Sequence, residues 1–398
     1  YLPAMTKLAS ELLQNDDKRV RILAIYPRKE LLKDQFAETY KEARKLDKYL
    51  QSQGKRKITI GTYYGDTLWE SPDSEGKEFK PMVCPQPKCS GTLRYSIEIR
   101  LAVCESCNTY LESDEVLVTK QSTQKNPPDI LFTTTEMLNQ NLSNDSCNNL
   151  FGVNNNSVAI PLVLLDEVHT YEGSSGAQTS YLLKRWMKFT GIKPHFVGLS
   201  ATLADAKSFF SDLTGTNPRH TELIESFDKE LEEEGAEYLL ALRGDPASQT
   251  GLLSATIQAT MLGSRLLDTH EGNNKNISQG IFGQKAFVFT DDLDVINRLY
   301  NDYLDAEGKK DYYGTLRPSD RNEYPLAANR SPSNPNYSEL LQKELGQDWS
   351  SAEVIGHNLY QSARVERTSS QDSGVNQSAN VVVATASLEV GYNDPDVG

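Results

Sequence analysis

Two acidic residues directly follow an apolar run in Val163-Leu164-Leu165-Asp166-Glu167-Val168-His169. The run predicts a buried strand, and in open parallel sheets ligands bind outside the carboxyl ends of the strands. At that place Asp166 can hold Mg²⁺ on ATP phosphates, and Glu167 can orient and deprotonate a water molecule. The alternative interpretation is structural, because Asp and Glu also favour the first turn of a helix.

Four of the five cysteines form two close pairs, Cys84 with Cys89 and Cys104 with Cys107, separated by 14 residues. Each pair can form a turn that presents two thiolates, and four thiolates make a closed tetrahedral zinc site. An iron–sulfur cluster and unrelated reduced thiols are the alternatives. A closed site has no open coordination position, so its expected role is structural or in contacting nucleic acid.

The residues around the pairs support the zinc prediction. Gly91 and Asn108 follow the pairs and suit tight turns, and the range from Leu93 to Val103 is expected to form the hairpin between them. The gap in the first pair is wider than the usual two residues. Cys147 stands apart from the pairs, and this usage of cysteine suits a reducing compartment rather than disulfide bonds.

Short apolar strands alternate with helical patterns along the chain, which is typical of βαβ units and a parallel sheet. The expected first lobe covers 1–216, with a cysteine-rich insertion at 66–128, and a polar segment at 143–158 is predicted to be a mobile surface loop. A helical linker is expected at 217–280. A second α/β lobe is expected at 281–398, beginning at the strand Phe287-Val288-Phe289-Thr290.

The length and the net charge of the chain restrict the number of domains and the kind of surface that it can have. A chain of 398 residues is too long for one compact core, so two or three domains are expected. The net charge of -14 argues against a surface built for indiscriminate nucleic-acid binding, although a local groove remains compatible with it. The sequence shows neither a spanning apolar stretch nor a signal peptide, which favours a cytoplasmic protein without membrane contact.

Six sequence motifs occur in the order found in superfamily-two DEAD/DEAH-like helicases, and the set resembles that family over nearly the whole chain outside the insertion. Each is weak alone, but the ordered set is specific. The family's Asp-Glu-x-His is followed by a Ser-Ala-Thr motif, as it is here. The six are Tyr26-Pro27-Arg28-Lys29-Glu30-Leu31 with Gln35, Asp129-Ile130-Leu131-Phe132-Thr133-Thr134-Thr135-Glu136-Met137-Leu138, Asp166-Glu167-Val168-His169, Gly198-Leu199-Ser200-Ala201-Thr202, Phe287-Val288-Phe289-Thr290, and Val382-Val383-Ala384-Thr385 continuing to Gly391-Tyr392-Asn393-Asp394.

The resemblance implies two RecA-like parallel-sheet lobes, with ATP in the cleft between them and nucleic acid across their top. It implies a catalytic set in which hydrolysis is coupled to lobe closure and movement along a strand: Asp166, Glu167, His169, Ser200 and Thr202. Capping of the following helix is the bland alternative for Ser200 and Thr202. The resemblance also implies contacts with the nucleotide from Gly391 and Asp394, and contacts with the nucleic-acid backbone from Arg28, Gln35, Thr133, Thr134 and Thr385.

Two family features are absent from the sequence. No G-x-x-x-x-G-K-[ST] phosphate loop occurs, and the resemblance places it just before Tyr1. It places the arginine-rich motif that supplies the arginine finger just after Gly398. We therefore expect the parent protein to hydrolyse ATP and this segment alone to be almost inert.

The motifs leave several alternatives open. A translocase that moves on duplex without unwinding has the same motifs, and a degenerate scaffold that only binds nucleic acid would explain the missing phosphate loop. The Asp-Glu-x-His-x-Tyr-x-Gly pattern is similar to large bacterial helicases of DNA repair and of phage-defence or DNA-modification systems, which favours DNA over RNA. Protein partners are expected to bind through flanking domains.

Overall fold

The computed structural model describes an α/β protein in two compact units, Tyr1–Leu231 and Glu232–Gly398. Both units contain a parallel sheet, so the fold class expected from the sequence is confirmed. None of the helices in the described residues is long and apolar enough to cross a membrane. The structure describes residues 2–27, 32–89, 91–153, 159–200, 203, 205–225, 239–241, 252–268, 282–290, 292–307, 363–368 and 379–385.

The first unit is built on a six-stranded parallel sheet with the strand order β5-β2-β6-β1-β7-β8. Its central strand is an uninterrupted apolar run that is buried on both faces, as expected for a parallel sheet covered by helices. In the register, Ile22 lies opposite both Ile130 and Leu162. The strands are β1 Ile22–Tyr26, β2 Ile60–Tyr63, β5 Val116–Leu117, β6 Ile130–Thr134, β7 Leu162–Leu165 and β8 His195–Gly198.

The helices of this unit pack their apolar faces against the sheet. Trp186 is buried in the core, and its indole Nε1 donates to the carbonyl of Phe151 at 2.8 Å. Gly191 ends its helix in the left-handed conformation. The helices are α1 Leu2–Gln14, α2 Leu32–Ser52, α3 Lys120–Lys125, α4 Thr135–Asn141, α5 Asn148–Phe151, α6 Gly173–Thr190 and α7 Ala206–Thr214.

The segment 143–158 differs from its prediction as a mobile loop in the part that is described, 143–153. A 3-10 helix at Asp145–Cys147 leads into α5, and both pack on the core. Cys147, Leu150 and Phe151 are fully buried. Their spacing places three apolar side chains on one face of a helical turn, which outweighs the polar Asn and Ser residues between them.

The cysteine-rich insertion contains an antiparallel hairpin of β3 Leu93–Ser96 and β4 Leu101–Cys104. The chain then returns to the main sheet, because β5 pairs with β2 in parallel. β5 and α3 therefore belong to the sheet layer. The part of 66–128 that stands apart from the sheet is shorter than the insertion that the sequence predicted.

The second unit holds a three-stranded parallel sheet in the order β10-β11-β9. Behind it, Arg265 and Glu307 form a buried bidentate pair at 2.9 and 2.8 Å, and Glu307 also accepts from the amide of Ala363 at 3.1 Å. The elements are α8 Leu252–Ser264, β9 Ala286–Thr290, α9 Leu293–Ala306, β10 Val365–Thr368 and β11 Val381–Thr385.

Candidate functional site

Asp166 is the first residue after β7 and lies at the carboxyl edge of the sheet. Its side chain is 8% exposed, and its Oδ1 accepts from the amide of Glu167 at 3.0 Å. Burial raises the pKa of Asp166 to about 6, and the negative charge of Glu167 adds to the effect. A desolvated carboxylate held in this way is suited to a divalent cation, which would compensate its charge.

Glu167 adopts the left-handed backbone conformation, with φ 48°. A residue with a side chain costs about 1 kcal/mol or more in this region, so the surrounding bonds must enforce it. The Thr170 hydroxyl donates to the carbonyl of Glu167 at 2.8 Å, and the amide of Val168 donates to Leu199 at 2.9 Å. The turn that directs the Glu167 side chain is thus fixed to the neighbouring strand.

His169 connects the ends of β7 and β8. Its Nδ1 lies 3.1 Å from the Ser200 Oγ and 3.4 Å from an oxygen of Glu167. The structure therefore brings together four of the predicted catalytic residues, Asp166, Glu167, His169 and Ser200, at adjacent strand ends. Both groups face the same ring nitrogen, so a change in the position of the Glu167 carboxylate can alter the bond between His169 and Ser200 on the next strand.

Gly198 is required by this junction, which the sequence patterns did not reveal. A Cβ at this position would lie 2.5 Å from the Phe210 ring and 3.0 Å from Val168. The ring of Phe210, which lies in α7, therefore packs directly on the backbone that leads to Ser200.

Tyr171 is a second residue that sequence reasoning left without a role. It is fully buried, and burial together with the charge of Asp166 raises its pKa. Within the described residues its hydroxyl has no hydrogen-bond partner. Its only signal in the sequence is its place in the Asp-Glu-x-His-x-Tyr pattern.

The candidate nucleic-acid residues of the first unit differ in their surroundings. Thr133 is buried and its hydroxyl donates to the Tyr63 carbonyl at 2.7 Å. Thr134 is partly exposed and caps α4 by accepting from the Met137 amide at 3.3 Å, which leaves its own proton free for a phosphate oxygen. Gln35 lies half-buried in the first turns of α2.

Five further predicted site residues lie in the second unit or outside the described residues. Thr385 ends β11 in the second unit and is half-buried. The positions that fall outside the described residues are Arg28, Thr202, Gly391 and Asp394.

The four paired cysteines form one cluster. All four sulfurs lie within 4.8 Å of one another, with Cys84 Sγ 3.5 Å from Cys107 Sγ and Cys89 Sγ 3.7 Å from Cys104 Sγ. A tetrahedral zinc ion with Zn–S bonds of about 2.3 Å places its sulfurs roughly 3.8 Å apart. The cluster therefore fits one tetrahedral ion.

The backbone around the cysteines forms two turns of the kind that present thiolates. Lys88 and Asn108 take positive φ values of 65° and 58°. The amide of Ser106 points at the Cys104 sulfur at 3.4 Å. Gly91 is needed for space rather than for its backbone conformation, because a Cβ there would lie 2.6 Å from the Cys104 sulfur.

The thiols of the cluster have opposed proton affinities. Burial raises the pKa of Cys84 to about 12, whereas hydrogen bonds with Thr109 lower the pKa of Cys107 to about 6. Four adjacent thiolates repel one another, and a bound cation relieves that repulsion. The donor set thus has the chemistry of a metal centre.

Known proteins resemble this chain in sequence and in fold. No protein-family model matches the chain. An uncharacterised ATP-dependent helicase of Methanocaldococcus jannaschii is 28% identical over 151 residues, which cover 37% of this chain and 21% of the relative. The chain thus matches about a fifth of the length of that relative.

One solved helicase shares the fold of this chain. Helicase Lhr of Mycobacterium smegmatis, bound to single-stranded DNA and AMP-PNP, has a TM-score of 0.51 at 16% identity, and the match covers 100% of this chain and 37% of that chain. The DUF1998 helicase MrfA, bound to DNA and AMPPNP, has a TM-score of 0.45 at 17% identity and is covered to 38%. The resemblance to helicases that the motifs indicated is confirmed, and the chain has a helicase-like α/β fold.

Proposed function

We propose that this chain is the ATP-driven motor core of a helicase that acts on DNA. The observation that carries the proposal is the gathering of Asp166, Glu167, His169 and Ser200 at two adjacent strand ends, in the order that the helicase motifs require. The helicase-like fold supports it.

In the proposed mechanism, Asp166 would hold Mg²⁺, which supplies charge neutralisation on the phosphates. The strained turn directs Glu167 toward the same edge, where its carboxylate orients the attacking water and takes its proton. The bond between His169 and Ser200 then passes the change at Glu167 to β8. Movement along the strand follows from repeated cycles of this change, with Thr202 proposed to assist the coupling and Gly391 and Asp394 proposed to contact the nucleotide.

We further propose that Thr134 and Gln35, with Arg28 and Thr385, contact the nucleic-acid backbone. Thr133 supports the turn from within rather than contacting phosphate, because its hydroxyl is engaged by Tyr63. DNA is favoured because Lhr, which shares the fold, was solved with single-stranded DNA.

The cysteine cluster is proposed to hold one structural Zn²⁺ ion. The sulfur separations of 3.5 and 3.7 Å suit a single ion, whereas a cluster of several irons spreads its cysteine sulfurs further apart. The ion would join the β3–β4 hairpin, which carries Cys104, to the turns that carry the other three cysteines.

The direct test is the ATP hydrolysis rate of the intact protein with single-stranded DNA, duplex DNA and RNA, together with a strand-displacement assay. We expect hydrolysis that single-stranded DNA stimulates most, accompanied by strand displacement. Hydrolysis without displacement would support the translocase, and binding without hydrolysis would support the scaffold and contradict the proposal.

A further inference from the structure

Lys120 and Trp69 form an unusual pair beside the main sheet. The ammonium of Lys120 lies 5.0 Å from the centre of the Trp69 ring and 5.8 Å from that of Tyr63. Lys120 is only 7% exposed, whereas Trp69 is 47% exposed. In the described part of the chain the ammonium makes no ion pair within 4.0 Å and no hydrogen bond, so the aromatic ring faces compensate its charge together with the carboxylate of Asp66.

Hydrogen bonds fix the backbone on both sides of Trp69. Leu68 forms a parallel bridge with Thr119, and its carbonyl accepts from the Lys120 amide at 2.8 Å. On the other side of the ring, the amide of Glu70 donates to the Gln121 side chain at 2.7 Å. An exposed tryptophan fixed at both flanks loses little conformational entropy when a partner binds it.

The pair lies on the edge of the sheet that carries the proposed motor site. Lys120 follows β5 and Tyr63 ends β2, while Thr134 ends β6 and Asp166 follows β7. In the strand order β5-β2-β6-β1-β7, a chain bound at Thr134 and leading away from Asp166 reaches Trp69 next. Strands β6 and β5 are two strand spacings apart, or about 10 Å.

We propose that Trp69, backed by Lys120, is a platform on which an unpaired base of the bound nucleic-acid strand stacks. This inference rests on the proposed function. The exposed ring offers the sequence-tolerant stacking surface that single-strand-binding proteins use, and the cation behind it attracts the adjoining phosphates. On a chain with a net charge of -14, such local attraction is needed to retain a polyanion.

The experiment measures the affinity of the intact protein for a fluorescein-labelled thymidine oligonucleotide by anisotropy. The variants are Trp69→Ala and Trp69→Phe, which keeps a ring. Tyr181→Ala is the matched control, since Tyr181 is 74% exposed and also has a lysine near its ring, Lys184 at 5.9 Å. Tyr181 lies in α6, away from the strand ends.

We expect Trp69→Ala to weaken binding about tenfold, Trp69→Phe to stay within about threefold of the wild type, and Tyr181→Ala to have no effect. An oligonucleotide that carries abasic sites should bind the wild type more weakly than the intact oligonucleotide does. That penalty should be smaller for Trp69→Ala, because stacking on residue 69 is already lost. A purely structural Trp69 would lower the melting temperature without changing the abasic penalty.

The outcomes separate this inference from the proposed function. If the wild type binds the oligonucleotide and a folded Trp69→Ala variant binds it equally well, the stacking platform is wrong and the motor proposal stands. The stacking platform would also be wrong if abasic sites reduced the affinity of Trp69→Ala as much as they reduce the affinity of the wild type and of Trp69→Phe. If the wild type binds no nucleic acid, both proposals fail.

Discussion

Replacing Asp166 by Asn should stabilise the protein in the absence of Mg²⁺ while removing its activity. Burial raises the pKa of Asp166 from its ordinary value of 3.8 to about 6. Each pKa unit corresponds to about 1.36 kcal/mol, so the folded state bears a penalty of about 2 to 3 kcal/mol for the ionised carboxylate at pH 7. The Asn amide carries no charge, and its oxygen can still accept from the Glu167 amide.

The sign of the pH dependence follows from proton binding. Asp166 binds its proton more tightly in the folded protein than in the unfolded chain, so stability falls as the pH rises from about 4 to about 6. The advantage of Asp166→Asn should therefore be near zero at pH 4 and fully present above pH 6.

Urea unfolding between pH 4 and pH 8, without Mg²⁺ or nucleotide, measures this advantage. Asp212→Asn is the matched control, because Asp212 is an exposed acid in the same unit and should show no such difference. Addition of Mg²⁺ and ATP should stabilise the wild type and leave Asp166→Asn unchanged. An Asp166→Asn variant that is less stable than the wild type at pH 7, or whose advantage does not vary with pH, would refute the reasoning.

Three further predictions concern the metal, the sheet and the site junction. The purified protein should contain about one zinc ion per chain by elemental analysis. The Cys84→Ser and Cys104→Ser variants should lose the ion, and the Cys147→Ser control should retain it. Iron with visible absorbance would contradict the zinc assignment. Asp129→Asn should lower the free energy of unfolding by about 3 to 5 kcal/mol, because the fully buried carboxylate pairs with two arginines at 2.6 to 2.8 Å, and a loss below about 1 kcal/mol in urea unfolding would contradict this. Gly198→Ala should slow ATP hydrolysis at least about tenfold, since its Cβ would lie 2.5 Å from a ring that supports the site, and an unchanged rate would show that the ring can move.

The sequence could predict the strands because their signal is local. The apolar run Val163-Leu164-Leu165 lies within β7, and the predicted strand Phe287-Val288-Phe289-Thr290 lies within β9. The elements that were misjudged depend on distant contacts. β5 is two residues long and exists only because β2 lies beside it, and α5 is stabilised by core packing that polar neighbours conceal.

The site residues could also be predicted only where their signal in the sequence is local. The acids and cysteines could be found because their chemistry requires particular residue types at short spacing. A turn at Gly91 was expected from the sequence. The close contacts made by Gly198 and Gly91, the hydrogen bond of Thr133 and the two arginine pairs of Asp129 were not, because they arise from side chains far apart in the sequence. Lys120 is similar, since its aromatic partners come from two other segments.

The most direct test of the motor proposal is the ATP hydrolysis rate of Glu167→Gln in the intact protein with single-stranded DNA present. Glu172→Gln is the control, because it makes the same change at an exposed glutamate five positions away. A residue that activates water contributes about 100- to 10,000-fold, so Glu167→Gln should lose at least 100-fold in rate and still bind ATP, while Glu172→Gln should match the wild type. Equal rates for Glu167→Gln and the wild type would contradict the assignment of this carboxylate and the mechanism built on it.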